Sequence, residues 1–370
     1  MIYLDNAATT LIKPRCVYRT VRSAVKRYAA NPGRSGHREA YRTMEAVYDV
    51  RVAIADMFNA PGPENVVFTY NATYALNIAI KSMIYEPCHV IISDMEHNSV
   101  LRPLVKLCNT LGIEYSTFNS SVDDLEIEID RLVRLDTKFI VTTLRSNVTG
   151  RDINQNALKK IKKKHGLGLI IDASQAAGHV GIDFTEMGCD ALACPGHKGL
   201  FGITGSGFVI FKDSKIKNSV IEGGSGNESI NVGMPIMLPE AYEAGTLGVC
   251  GILSVGTGIE YINGTGLDYI KEKLNDLTER CKTVLESLHC LKIVEGYNGI
   301  VSLVGNNCSN SEITEVLNAA DICVRSGLHC APLAHQTLNT LSCGTVRISF
   351  SFFNKYEDID KLYKCLKKVK

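Results

Sequence analysis

Leu167-Gly-Leu-Ile-Ile-Asp172-Ala-Ser-Gln175 reads as a short apolar strand that ends on an aspartate. Its apolar residues run without a break, as in a strand covered on both faces. Similar runs lie to either side: Val66-Val-Phe-Thr69, His89-Val-Ile-Ile-Ser93, Lys138-Phe-Ile-Val-Thr-Thr-Leu144, Asp190-Ala-Leu-Ala193 and Gly207-Phe-Val-Ile-Phe211. Helix-like stretches separate them, among them residues 71–83 and 98–107. Strands alternating with helices predict a mostly parallel α/β sheet from about residue 64 to 212. In such sheets ligands bind beyond the carboxyl ends of the strands, which is where Asp172 falls.

The chain changes character after about residue 245. Residues 251–263 and 267–291 read as helices. Strand-like pieces follow at Ile300-Val-Ser-Leu-Val304, Ile322-Cys-Val-Arg325 and Gly344-Thr-Val-Arg-Ile-Ser-Phe350, with a helix from Glu357. This is an α+β lobe, and 370 residues are long for a single core, so two lobes are expected. The N-terminal segment suits either lobe.

A net charge near +1 offers nothing to a nucleic acid or an acidic membrane. The Lys-rich runs at 159–164 and 364–370 read as solvated helix faces. Met1-Ile-Tyr-Leu-Asp5 has no basic n-region or long apolar h-region, and no apolar run reaches a membrane's thickness. Thirteen cysteines are scattered without a CxxC pair, several of them inside apolar runs (Cys250, Cys323). That arrangement predicts mostly buried thiols in a reducing cytoplasm, with neither a disulfide framework nor a structural metal.

Lys198 stands in Cys194-Pro-Gly-His-Lys-Gly-Leu-Phe-Gly-Ile-Thr-Gly-Ser-Gly207, a Gly-rich and weakly charged loop. A single lysine after a strand is usually solvated, and an aspartate at a strand end is usually a cap. Together, a desolvated lysine able to form a Schiff base and a carboxylate able to keep a pyridinium protonated are what pyridoxal phosphate chemistry requires. Phe68-Thr-Tyr-Asn-Ala-Thr73 passes from strand to helix, so the amides near Ala72 and Thr73 meet the positive end of a helix dipole. The Thr73 hydroxyl and His197 are further candidate phosphate donors. His97, in Asp94-Met-Glu-His97-Asn98, follows a strand and could stack on a planar ring. A cap is the plainer reading of both Thr73 and His97.

Taken in order, Tyr3-Leu-Asp-Asn-Ala-Ala-Thr-Thr10, Glu96-His97, Ser146-Asn147-Val-Thr-Gly150, Asp172-Ala-Ser-Gln175, Gly196-His197-Lys198 and Arg325-Ser-Gly-Leu-His-Cys330 resemble the class V aminotransferases. Within them the chain looks like the cysteine desulfurases, and the likeness runs from residue 3 to about 355. Asn31-Pro-Gly-Arg-Ser-Gly-His37, Tyr242-Glu-Ala-Gly-Thr246 and Leu328-His-Cys-Ala-Pro-Leu-Ala-His335 are similar to one bacterial branch. The form of the cysteine motif resembles the group with a short, ordered loop, which includes the selenocysteine lyases. The resemblance implies the pyridoxal-phosphate-dependent transferase fold of type I. It pairs a large domain over 14–245, with a mixed, mostly parallel seven-stranded sheet, with a smaller α+β domain from 1–13 and 246–370.

The resemblance also implies roles. Lys198 would carry the cofactor as a Schiff base and move protons, Asp172 would pair with the pyridinium nitrogen, and His97 would stack on the ring as a third catalytic group beside Lys198 and Cys330. Gln175 would bond the ring hydroxyl oxygen, with Asn147 near that oxygen and the substrate carboxylate. Ala72, Thr73, His197 and, from a neighbouring subunit of a homodimer, Thr246 would hold the phosphate. Arg347 would grip the substrate carboxylate as a fork, a role that a strand arginine would not be given without the likeness.

Cys330 would take the substrate's sulfur as a persulfide, turning L-cysteine into L-alanine, with Arg325 and His329 as cationic neighbours that favour its thiolate. An unidentified protein would then accept that sulfur. Selenocysteine lyase activity, a class V transaminase or lyase that does not use Cys330, and a non-catalytic sulfur-relay module are the other readings. Two positions depart from the family pattern. Pro195 stands where a hydroxyl residue usually contacts phosphate, which leaves a gap for Ser225 or water, and Asn98 stands where His or Lys is common.

Overall fold

The computed structural model describes residues 1–33, 35–214, 218–226 and 230–369. Arg34, inside the Asn31–His37 motif, and Lys370, at the end of the basic tail, lie outside them. The described strands are β1 (Ile2–Tyr3), β2 (Val66–Thr69), β3 (His89–Ser93), β4 (Glu114–Phe118), β5 (Thr137–Thr143), β6 (Gly168–Asp172), β7 (Ala191–Pro195) and β8 (Gly207–Phe211), followed by β9 (Leu291–Tyr297), β10 (Ile300–Gly305), β11 (Ile322–Cys323), β12 (Arg325–Gly327) and β13 (Thr345–Ser349).

Strands β2 to β8 form one seven-stranded sheet in the order β2-β8-β7-β6-β5-β3-β4. Its pairings are parallel except that β8 runs antiparallel to both β2 and β7. The unbroken apolar strands are divided residue by residue between two cores. Ile91, Ile140, Leu169, Ile171 and Leu192 face one, while Val90, Ile92, Val141, Ile170 and Ala191 face the other. A strand with helices on both faces has no reason to alternate with polar residues, and these do not.

Register brings the chemistry to one edge. Thr143 of β5 lies opposite Asp172 of β6, and Asp172 lies opposite Ala193 of β7. The residues that follow these positions therefore leave the sheet side by side.

The edge strand β4 has no unbroken apolar run. Glu114 and Tyr115 are exposed and Phe118 is fully buried, so the segment carries no continuous apolar strand signal. The expected helix over 267–291 ends at Leu285; a short turn follows, and β9 starts at Leu291 as the edge of a four-stranded sheet β12-β13-β10-β9. The single strand expected at Ile322–Arg325 is two: β11 pairs in parallel with β1, whereas β12 pairs with β13. The N-terminus is thereby fixed to the C-terminal part of the chain. The helix Val249–Thr265, expected with the smaller lobe, packs on the helices Arg15–Arg27 and Arg38–Phe58. It comes close to the second because Gly256 carries no Cβ, which would run into the Val50 side chain.

Among the described residues no helix is long and apolar enough to cross a membrane. The cysteines are less buried than expected: five are buried, six are half-buried with Cys250 and Cys323 among them, and only Cys330 and Cys343 are exposed. Most lie at element ends or on partly covered faces, so accessibility narrows the choice of nucleophile to two.

Candidate active site

A cleft of about 200 Å³ opens at the carboxyl edge of the large sheet. It gathers Ala72, Thr73, His97, Asn147, Asp172, Gln175, His197, Lys198 and Arg347, which are scattered over 276 positions of sequence from 72 to 347.

The loop after β7 closes on itself through Gly196 N to Ser206 O, Gly202 N to Gly196 O and Phe201 N to Lys198 O. Lys198 is half-buried, and protein around its amine lowers its pKa to about 8 by desolvation, against the opposing pull of Asp172. Asp172 is buried at the end of β6 and accepts a bond from Ser174 N at 2.8 Å. Beneath them Glu96 is fully buried. Its Oε1 accepts from Thr143 N at 2.9 Å and from the Ser93 hydroxyl, while Oε2 has no partner. Desolvation raises its pKa to about 8, so it stands as a neutral acid at pH 7.

His97 does both things considered for it. It caps the helix Asn98–Leu111 by accepting from Ser99 N at 3.0 Å, and its ring lines the cleft. Desolvation lowers its pKa to about 4, and Nδ1 as acceptor places the proton of the neutral ring on Nε2. The Ser99 hydroxyl joins His97 Nδ1 at 2.9 Å and Thr73 Oγ1 at 2.8 Å, a link with no sequence signal beyond its place in a capping turn. Asn71 caps the helix Ala72–Met83 through Tyr74 N, leaving the earlier amides of Ala72 and Thr73 at the helix's positive end.

His197 is held by Thr9 Oγ1 at 3.0 Å, and burial lowers its pKa to about 4. The segment after β1 straps this loop further. Thr9 and Thr10 hydroxyls donate to the carbonyls of His197 and Lys198, and Lys13 Nζ donates to His197 O at 2.8 Å.

At the other end Arg347, on β13, is 1% exposed and is a buried cleft residue, not a surface strand arginine. Its Nη1 donates to Asn147 O at 3.0 Å and its Nη2 to Asp5 Oδ1 at 2.7 Å, while Nε has no partner. Two amides are more committed than their implied roles suggested. Asn147 Nδ2 donates to His329 O at 2.8 Å, and Gln175 Nε2 donates to Ala7 O at 2.9 Å.

Cys330 sits at the rim, exposed, with Arg325 Nη2 3.9 Å from its Sγ. Its carbonyl accepts from Asn98 N at 2.7 Å, and the six-residue helix Pro332–Thr337 follows. His329 and Cys330 both adopt left-handed backbone, φ 47° and 58°, a conformation that side chains resist and that the Asn147 bond helps hold. The expectation of a cationic His329 fails, because burial, with Arg347 nearby, lowers its pKa to about 3. Arg325, which also lines the cleft, is the cation beside the thiol. Cys343, the other exposed cysteine, turns its thiol to the carbonyls of Thr340 and Gly344.

Two expected phosphate contacts are elsewhere in this chain. Thr246 is exposed and lines a groove with Tyr70, Tyr74 and Ile221, and Ser225 lines another with Asn31 and Gly245. Pro195 lines the cleft itself. Besides Ser99, sequence reasoning does not single out Arg145, buried at 1% and paired through Nε with Asp152 at 2.6 Å.

A desolvated lysine, a buried carboxylate and a neutral histidine, gathered at the C-terminal edge of a mixed α/β sheet, are the groups that pyridoxal phosphate chemistry on a fold of type I requires. The comparisons agree. The Aminotransferase class-V family model matches residues 2–362, and the chain belongs to that family. Probable cysteine desulfurases of Borreliella burgdorferi and Methanothermobacter thermautotrophicus are each 30% identical to it, over 100% of this chain and 92% and 94% of theirs. Among solved structures, apo cysteine desulfurase from Thermococcus onnurineus superposes with a TM-score of 0.86 at 26% identity, over 100% of this chain and 94% of that one. The cysteine desulfurase CsdA of Escherichia coli shares the fold at a TM-score of 0.88.

Proposed function

We propose that this chain is a cysteine desulfurase that works with pyridoxal 5'-phosphate, converting L-cysteine to L-alanine and leaving sulfur on Cys330. The observation that carries the reading is a single cleft holding Lys198, Asp172 and Arg347 with an exposed cysteine at its rim beside Arg325.

The residues present fit the cofactor. Lys198 supplies an amine of lowered basicity, Asp172 a buried carboxylate, and the amides of Ala72 and Thr73 with the Thr73 hydroxyl and His197 a phosphate end. The partnerless Nε of buried Arg347 asks for a carboxylate. Pyridoxal phosphate bound there supplies an electron sink that weakens bonds at and next to the substrate's α-carbon.

The chain's own groups do the rest. Arg347 binds and orients the substrate carboxylate, and the amine of Lys198 takes and returns protons at Nζ. His97, whose ring lines the cleft, would lie beside the bound cofactor and offer its Nε2 proton. The Cys330 thiolate attacks the substrate's sulfur: an S–S bond forms, the C–S bond breaks with its electron pair going to carbon, and a proton there completes alanine. Cys330 is left as a persulfide, from which a thiol of an acceptor protein, or a reductant, removes the outer sulfur.

We further infer a homodimer. Thr246 lies outside its own chain's cleft on an apolar, aromatic face with Tyr70 and Tyr74, so a second copy would have to supply it.

Incubating the loaded protein with L-cysteine and a reductant tests the reading. Equal yields of alanine and sulfide over many turnovers are expected, and pyruvate with sulfide would refute it. Cys330→Ala is expected to keep the bound cofactor's absorbance and lose on the order of a hundredfold or more in turnover. Cys343→Ala is expected to keep both.

A further inference from the structure

Arg347 already has a carboxylate on it. Its Nη2 donates to Asp5 Oδ1 at 2.7 Å, and Asp5 is the acidic group paired with this guanidinium, at 1% and 20% side-chain exposure. Asp5 does not arrive there by chance. The chain after β1 is bridged to Ser349 at Asp5, and Asn6 N and Ala7 N donate to Ser349 O and Oγ at 3.3 and 2.9 Å. Ser349 is two residues beyond Arg347 on β13, so the backbone fixes the aspartate beside the arginine. Further along, Ala7 O is held by Gln175, and Thr9, Thr10 and Lys13 are held on the lysine loop. With the backbone tied at both ends, only the Asp5 side chain is free to swing.

We propose that Asp5 occupies Arg347 as an internal counterpart of the substrate carboxylate, and that the two carboxylates compete for one guanidinium. The proposal rests on the reading of Arg347 as the carboxylate site. A guanidinium has donors to spare, and Nε is free, so geometry alone would allow both. Charge opposes it. One buried cation satisfied by Asp5 has little left for a second anion, and two carboxylates a few ångströms apart in a partly enclosed site repel. Each molecule of substrate must therefore displace or outbid Asp5, which weakens binding of every α-carboxylate by the same coupling. In the empty site Asp5 keeps a buried arginine compensated. Asp5 thus sets affinity for the carboxylate without touching the reacting atoms, as a positioning residue.

Calorimetric titration of the cofactor-loaded protein with L-alanine, the reaction's product, tests this without turnover. L-Alaninamide, which lacks the carboxylate, is the control ligand. Asp5→Asn keeps an acceptor for Nη2 and removes the charge, and Asp5→Ser, measured alongside, removes the charge with a smaller side chain. L-Alanine is expected to bind on the order of tenfold more tightly to both variants than to the wild type, with L-alaninamide unchanged. Equal or weaker L-alanine binding in the folded variants would overturn the proposal, and so would an equal gain for L-alaninamide. Failure of the desulfurase reading shows separately, as absent alanine and sulfide from wild-type protein, and does not alter the alanine-to-alaninamide ratio.

Discussion

Lys198 and Glu96 carry protons against their usual preferences, and burial is the first cause in both. A lysine amine at about 8 is half unprotonated, and so available as a nucleophile, at pH about 8, where an ordinary lysine is almost wholly charged. Capture of pyridoxal phosphate by the cofactor-free chain, followed as visible absorbance, is expected to speed up as pH rises through about 8. Lys198→Ala is expected to develop no such absorbance. Glu96 has its folded pKa raised from 4.5 to about 8, so the native state holds a proton there that the unfolded chain releases. Stability linked to Glu96 is then full below about 4.5 and is lost as pH rises through about 8. Glu96→Gln removes that linkage: between pH 5 and 8 the wild type is expected to lose on the order of a few kcal/mol relative to the variant in denaturant melts. Parallel pH profiles for the two proteins would show that Glu96 is ionised in the fold. At this scale Lys198, Asp172 and His97 were legible because motif and strand end coincide. The neutrality of His329 was not, since it depends on burial and on Arg347, eighteen positions away.

Between β5 and the helix that follows it, the Ser146–Gly150 turn places Asn147 in the cleft, and its shape depends on another element. Gly150 N returns to Ser146 O at 3.0 Å, while the β9–β10 hairpin grips the turn through Tyr297 N to Thr149 O and Ser302 Oγ to Val148 O. Gly150 has φ 75°, and a Cβ there would run into the Tyr297 carbonyl. Gly150→Ala therefore meets both a strained backbone and a backbone clash, and is expected to destabilise by roughly 2–4 kcal/mol. Because Asn147 holds His329 O, activity is expected to fall further than stability does, which urea melts and an alanine assay on the same protein would separate. Six strands of the large sheet could be read from unbroken apolar runs, because burial on both faces leaves a plain signature. β4 and β9 could not, because a partly exposed strand takes its residues from its neighbours' needs and not from a local pattern.

For the whole molecule, the site is made where the N-terminal strap, the large sheet and the C-terminal sheet converge. The Arg151–Glu295 pair at 2.6 Å is one direct tie between the loop after β5 and β9. If the homodimer places Thr246 in the partner's cleft, mixed Thr246→Ala and Lys198→Ala chains form hybrids with one intact site. Such mixtures are expected to recover roughly a quarter of wild-type activity by random pairing. No recovery, with exchange of chains shown by a tag, would exclude the shared site.

Composition, the alternation of apolar runs and the spacing of Gly196-His197-Lys198 after Asp172 determined by themselves an α/β sheet with its chemistry at the strand ends. Those properties are local: a doubly covered strand needs continuous apolar residues, and a cofactor lysine needs a close loop. Only the tertiary structure decided that β1 joins β11, that the strand at Ile322–Arg325 divides between two sheets, that Asp5 lies on Arg347, and that Arg325 and not His329 charges the surroundings of Cys330. Each depends on packing between positions far apart in the chain, the neutral His329 included, which owes its state to burial against β13. Its energy comes from desolvation and charge that exist only once both partners are buried together.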